Sequence, residues 1–233
     1  WYYDTAQKCY RHVTNHYTRL GYYLLSDTAT PGPLLMEERK PTASQAAPAL
    51  TSTYDALVLH ERDLFSPKQS GRMLFGEPLM GGQPKRILIN LGHGEQAGNA
   101  IKVNYAYMAR PSTQGFFTLS LDGKELVKDP ISLSEDHTSR DFLAGIYHFR
   151  SNVTATTSSS NLALDASYRP AGENAYVDFL EFIIEQRLRY TTGQQTDFRR
   201  MQEGSDALLY QVSGLPQDGI ILATSPEGSL PYR

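Results

Sequence analysis

Apolar and polar side chains alternate along most of this chain. In residues 101–107 (IKVNYAY) the odd positions Ile101, Val103, Tyr105 and Tyr107 are apolar or aromatic. A period of two sends one side chain into a core and the next to solvent, which predicts a strand. Residues 54–61 (YDALVLHE) and 86–91 (RILINL) read the same way. Residues 116–121, Asp122-Gly123 and residues 124–127 predict a hairpin, because Asp-Gly supplies the positive φ angles of a two-residue turn. Residues 144–150, 154–157, 162–168, 207–213 and 219–223 continue the pattern. The polar run 156–161 (TTSSSN) reads as a turn or a mobile loop.

Two segments resist this period. Residues 176–190 (YVDFLEFIIEQRLRY) fit a helix with Val177, Leu180, Ile184 and Leu188 on one face. They also fit a strand with Leu180, Phe182, Ile184, Leu188 and Tyr190 on one face. Glu185 and Arg189, four apart, add a little to the helix. Residues 31–48 hold four prolines and read as an extended or disordered loop rather than an element. Short strands at turn spacings of about ten residues predict an all-β fold, an antiparallel, jelly-roll-like β-sandwich. The Pro-rich loop divides it into a small N-terminal β segment, residues 1–50, and a sandwich domain over residues 51–233.

Composition narrows the function. The 233 residues are 40% hydrophobic and carry a net charge of −3, with no basic excess to attract nucleic acid. No apolar run approaches the roughly 20 residues of a membrane span. The chain begins with Trp1 rather than Met, as expected of a mature or excised fragment. Cys9 is the single cysteine, so neither an internal disulfide nor a cysteine-based zinc cluster can form. Fifteen tyrosines favour strands.

Several constellations invite chemistry. Leu91-Gly92-His93-Gly94 follows an apolar strand, a setting in which caspase- and gingipain-type proteases place the histidine that deprotonates a cysteine. Cys9 is the only partner for it, lies in the polar run Gln7-Lys8-Cys9-Tyr10-Arg11, and precedes the histidine instead of following it. A Gly-rich turn over residues 92–98 is the simpler reading. His12 and His16, four apart, would suit a metal on a helix, but their surroundings look extended. Neither a cofactor nor a metal is expected. Glu61-Arg62-Asp63, Ser70-Gly71-Arg72 and Gly76-Glu77 form the densest charged cluster, fit for buried ion pairs or for a polar binding site. Asn152-Val153-Thr154 matches the glycosylation sequon. Tyr105, Tyr107, Tyr147 and Phe149 offer rings for a sugar platform, the basis of an alternative reading as a carbohydrate-binding sandwich.

Residues 54–77 (YDALVLHERDLFSPKQSGRMLFGE) resemble the N-terminal region of the gingipain-family sortases of the type IX secretion system in Bacteroidetes. That region carries an acidic residue, then Ser-Gly-Arg, then an aromatic-Gly-acid step, here Glu61, Ser70-Gly71-Arg72 and Phe75-Gly76-Glu77. Residues 12–25 (HVTNHYTRLGYYLL), 175–190 (AYVDFLEFIIEQRLRY, with Asp178), 211–216 (QVSGLP) and 221–224 (ILAT) resemble further pieces in the same order. The usual closing Trp-Asp-Val-Thr keeps only Thr224.

The resemblance implies a non-catalytic β module that docks or positions a cell-surface cysteine peptidase. The whole protein would remove C-terminal signals from cargo and anchor the cargo. It implies an outer-membrane-surface location in a Gram-negative bacterium. The implied partners are outer-membrane and surface proteins of the attachment complex, and cargo C-terminal domains. Catalytic residues would lie beyond Arg233, and His93 would be a decoy. It also implies a strand at residues 176–190. Glu61, Ser70, Gly71, Arg72, Gly76, Glu77 and Asp178 are the resulting candidate structural or binding motif.

Overall fold

The computed structural model describes residues 1–13, 49–66, 74–80, 82–109, 113–131, 146–169, 175–193, 197–200, 208–217, 219 and 221. These form twelve strands: β1 Tyr2–Asp4, β2 Cys9–Arg11, β3 Ala49–Thr51, β4 Thr53–Glu61, β5 Lys85–Asn90, β6 Gln96–Ala109, β7 Gly115–Leu121, β8 Lys124–Ile131, β9 Ile146–Thr156, β10 Asn161–Arg169, β11 Ala175–Arg187 and β12 Leu208–Tyr210. Two four-stranded sheets, ordered β4-β11-β6-β9 and β5-β10-β7-β8, carry the fold, and every pair within them is antiparallel. From β4 to β11 the chain changes sheet at every connection except the β7–β8 hairpin. That order is the eight-stranded jelly roll, which buries one face of each sheet against the other.

The alternation explains the core. Ile87 and Ile89 of β5, Phe117, Leu119 and Leu121 of β7, and Leu162, Leu164 and Tyr168 of β10 point inward from one sheet. Ile101, Val103, Tyr105 and Tyr107 of β6 and Leu180, Phe182 and Ile184 of β11 meet them from the other. In the predicted β7–β8 hairpin, Asp122 and Gly123 take φ angles of 49° and 82°.

The strand expected at residues 176–190 is present as β11, and other readings change. Residues 144–150 and 154–157 were expected as separate strands; residues 146–156 form the single strand β9, whose pairing with β6 is bulged between Val103 and Tyr105. Alternation fails in β11, where every residue from Ala175 to Ile184 is buried. It is a central strand, and chain also covers its outer face, so both faces are withdrawn from water. This dual burial let residues 176–190 mimic a helix. Of residues 219–223, Gly219 and Ile221 are described and neither joins a strand. The Pro-rich loop, residues 31–48, lies outside the described residues.

The outer face of the β4-β11-β6-β9 sheet is covered from two directions. The β1–β2 hairpin lies over it, joined through Asn104 of β6, Glu181 of β11 and Asn152 of β9. Beyond the end of β4, residues 75–79 run beside the start of β11: Gly76 N donates to Val177 O, Val177 N to Glu77 O, and Leu79 N to Ala175 O. Phe75, Tyr176 and Met108 form a small second core there, with Phe65 stacked on Tyr176 at 4.5 Å.

Candidate functional site

Two bulges place polar groups under the hairpin. The pairing of β11 with β6 shifts between Val177 and Phe179, which exchanges the faces of the residues that follow. Val177 lies in the sandwich core, and after Asp178 the core positions become Leu180, Phe182 and Ile184. Phe179 and Glu181 thereby turn outward. In β9, Ser151 and Asn152 stand against the single residue Asn104 of β6, and Asn152 takes φ 57°. Asparagine tolerates this left-handed conformation better than most residues.

Glu181 is fully buried and is the centre of the site. Its Oε1 accepts from the backbone N of His12 at 2.6 Å and meets His12 Nδ1 at 2.7 Å; Oε2 accepts from Asn104 Nδ2 at 2.8 Å. His12 Nε2 faces Glu61 Oε2 at 3.6 Å. Burial pushes the imidazole pKa down, but hydrogen bonds to Glu181 and Glu61 outweigh it and raise the value to about 9. His12 is thus a cation at neutral pH, and its charge offsets the buried carboxylate. The ring packs edge-on against Phe179 at 4.6 Å. Asp178, on the bulge, accepts from Tyr147 Oη at 2.8 Å. Burial lifts its carboxyl above the ordinary value, and the charge of Glu61 adds to the lift.

The remaining hairpin contacts address its backbone. Asn104 Nδ2 donates to Tyr10 O at 2.9 Å and Asn152 Nδ2 to Gln7 O at 3.1 Å, while Asn104 Oδ1 accepts from Asn152 N at 2.9 Å. The Arg11 guanidinium lies 4.0 Å from the ring centre of Phe149.

The candidate motif divides between two places. Glu61 belongs to the His12–Glu181 network, and Asp178, bonded to Tyr147, lies near enough to feel the charges of Glu61 and His12. Glu77 belongs to another, where its Oε1 meets His60 Nε2 at 3.0 Å and Arg62 at 3.6 Å. Burial pushes the Glu77 carboxyl up, yet the His60 hydrogen bond and nearby positive charge bring it below its usual range. Glu77 Oε2 is buried with no hydrogen-bond partner among the described residues. Gly76 is enclosed: a Cβ there would lie 3.1 Å from both Arg62 O and Val177 O. Ser70, Gly71 and Arg72 lie outside the described residues, as does His16.

The other constellations resolve without catalysis. Cys9 is buried, and its thiol pKa is raised by burial and by the charge of Glu181, the reverse of what a thiolate nucleophile needs. His93 is exposed beside Gly94, which packs so closely on Gln186 that a Cβ would collide with that side chain. Gln186 and Glu181 are five positions apart on β11, roughly 16 Å of strand, so His93 sits toward the end of the sheet and Cys9 nearer its middle. Tyr105 and Tyr107 are core residues stacked near Phe117, and Phe149 lies under Arg11; the four proposed rings form no exposed row. Among the described residues no group of three His, Cys, Asp or Glu is placed to hold a metal, and no helix is long and apolar enough to cross a membrane.

Glu181 and Asn104 did not stand out in the sequence. Glu181 sits within the apolar run Phe179-Leu180-Glu181-Phe182-Ile183, and a lone acid inside a central strand was the available clue.

No family model and no curated protein matches the chain. Among solved structures, dimeric latent PorU from Porphyromonas gingivalis matches 93% of this chain with TM-score 0.78 and 30% identity. The chain is similar to a region of PorU. The match takes in 20% of the PorU chain, so this chain spans about a fifth of that protein's length. Two other structures match more weakly. The Bacillus thuringiensis insecticidal delta-endotoxin Cry8Ea1 gives TM-score 0.35 and 18% identity over 47% of this chain and 20% of its own. The CBM36-1 domain of a xylanase from the hindgut metagenome of Trinervitermes trinervoides gives 0.36 and 8% over 55% and 95%. Neither bears on what this chain does.

Proposed function

We propose that this chain is a non-catalytic β module of a PorU-type protein, a gingipain-family sortase of type IX secretion. Its role is to dock or position the peptidase at the outer-membrane surface. The observation that carries this reading is the similarity to PorU over 93% of the chain. The environment of Cys9 supports it, since the sole thiol is buried, raised in pKa and remote from His93. The polar clusters serve architecture, holding the hairpin and residues 75–79 on the sheet so that a rigid sandwich is presented to partners. Those partners are surface proteins of the attachment complex or the C-terminal domains of cargo.

The test is to express the 233 residues alone. The expected result is a folded, all-β protein without peptidase activity that binds a purified attachment-complex protein or cargo C-terminal domain in calorimetry. Peptidase activity that disappears on Cys9→Ala would overturn the non-catalytic reading. Failure to bind either class would overturn the docking role.

A further inference from the structure

The way the β1–β2 hairpin is attached differs from the way the sandwich is built. Among the described residues, β1 and β2 pair with each other and with no strand of either large sheet. No residue of 1–13 belongs to the main hydrophobic core. Side chains make the attachment: Glu181 to His12, Asn104 to Tyr10 O, Asn152 to Gln7 O, Tyr10 to Asp55, Cys9 to Ser151, and rings or cations against Phe149 and Phe179. Two buried polar atoms at this contact, Arg11 Nε and Asn152 Oδ1, have no hydrogen-bond partner among the described residues. Opening would hydrate both, and would break no ladder of the sandwich.

We propose that residues 1–13 form a latch that opens as a unit from the outer face of the β4-β11-β6-β9 sheet while the sandwich stays folded, with His12 in the Glu181 pocket as its bolt. Closed, the latch hides Glu181, Asn104 and the rings of Phe149 and Phe179. Open, it presents them to solvent as a groove carrying a carboxylate and two aromatic walls. The bolt works by charge. Without the imidazolium, Glu181 keeps only Asn104 as a side-chain partner among the described residues, in a site closed to water, so the closed state loses its advantage over the open one. Regions tied down by few apolar contacts open locally at a free-energy cost below that of global unfolding.

The chain carries its own reporters. Its one cysteine, Cys9, and its one tryptophan, Trp1, both lie in the hairpin segment, with Cys9 3% exposed and Trp1 6.0 Å from His12. The experiment follows labelling of Cys9 by a thiol-reactive disulfide, together with Trp1 fluorescence, across a urea series on the full chain. Far-UV circular dichroism reports the sandwich in the same samples. Expected is labelling in native buffer with a shallow urea dependence, well before the circular dichroism transition. His12→Ala should accelerate labelling at least about ten-fold with the circular dichroism midpoint nearly unmoved. Wild-type labelling that follows the circular dichroism curve, with the same steep urea dependence, overturns the latch and needs no variant to do so. A His12→Ala protein whose sandwich fails to fold, or whose midpoint falls in step with labelling, overturns it as well.

Discussion

Glu181 of β11 and Asn104 of β6 stand directly opposite each other, both 0% exposed, and share a 2.8 Å hydrogen bond in the middle of a β-sheet. A buried carboxylate in that position is tolerated because its oxygens meet polar partners and one of them is cationic. The hairpin supplies what the sheet lacks: an imidazolium, a backbone N–H and a carbonyl for the amide of Asn104.

The charge on His12 gives the hairpin a pH dependence of defined sign. Its folded pKa of about 9 lies above the unfolded value of about 6.5. The contribution is therefore fully present below about pH 6.5 and is lost as pH rises through about 9. Its size is on the order of 3 kcal/mol. Proton NMR should show the His12 ring titrating near pH 9, and Glu181→Gln should bring that midpoint down. A ring titrating at the ordinary histidine value in the wild type would contradict the pairing.

Asn152 acts through its backbone and its amide, and two substitutions separate them. Both Asn152→Gly and Asn152→Ala remove the amide donated to Gln7 O, but only alanine is strained at φ 57°. Asn152→Ala should be less stable than Asn152→Gly by about 1 kcal/mol in urea unfolding. Equal stabilities would mean that the bulge relaxes at no cost.

Gly76 is held between two backbone carbonyls, which cannot yield as a side chain can. Gly76→Ala should cost about 1–2 kcal/mol by overpacking and lower the melting temperature. Gly98 is the control, because a Cβ added there would have nothing within 4 Å, and Gly98→Ala should leave the melt nearly unchanged. Comparable losses at both positions would point to a general intolerance of alanine instead.

Glu77 should show in the acid limb. Its folded pKa is depressed, so its contribution is present above the unfolded carboxylate value of roughly 4.3 and is lost as pH falls through the folded one. The stability of Glu77→Gln should vary less than that of the wild type between about pH 5 and pH 3. Parallel curves for the two proteins would show that the His60–Glu77 pair adds nothing.

Much of the architecture was legible in the alternation. The hairpin at Asp122-Gly123, the polar turn before β10 and the strands around residues 54–61, 86–91 and 101–107 all follow from local rules, because one face of each strand is wet or the turn needs a particular φ. Glu61, Gly76 and Glu77 stood out in a charged cluster and Asp178 through the resemblance, but how they pair did not show. His12 is 169 positions from Glu181 and Asn152 is 145 from Gln7, distances over which no periodicity carries information.

By itself the sequence determined that this chain is a jelly-roll-like sandwich, since period and turn chemistry are local properties. Tertiary structure alone decided which face of β11 carries Glu181. The bulge at Asp178 exchanges the side chains from Phe179 to Ile184 between core and outer face, and its place is set by the packing of Val177 and Leu180 against the opposite sheet. Tertiary structure also decided that this outward acid would be buried, because the covering hairpin arrives from the far end of the chain, and only folding brings His12 to it.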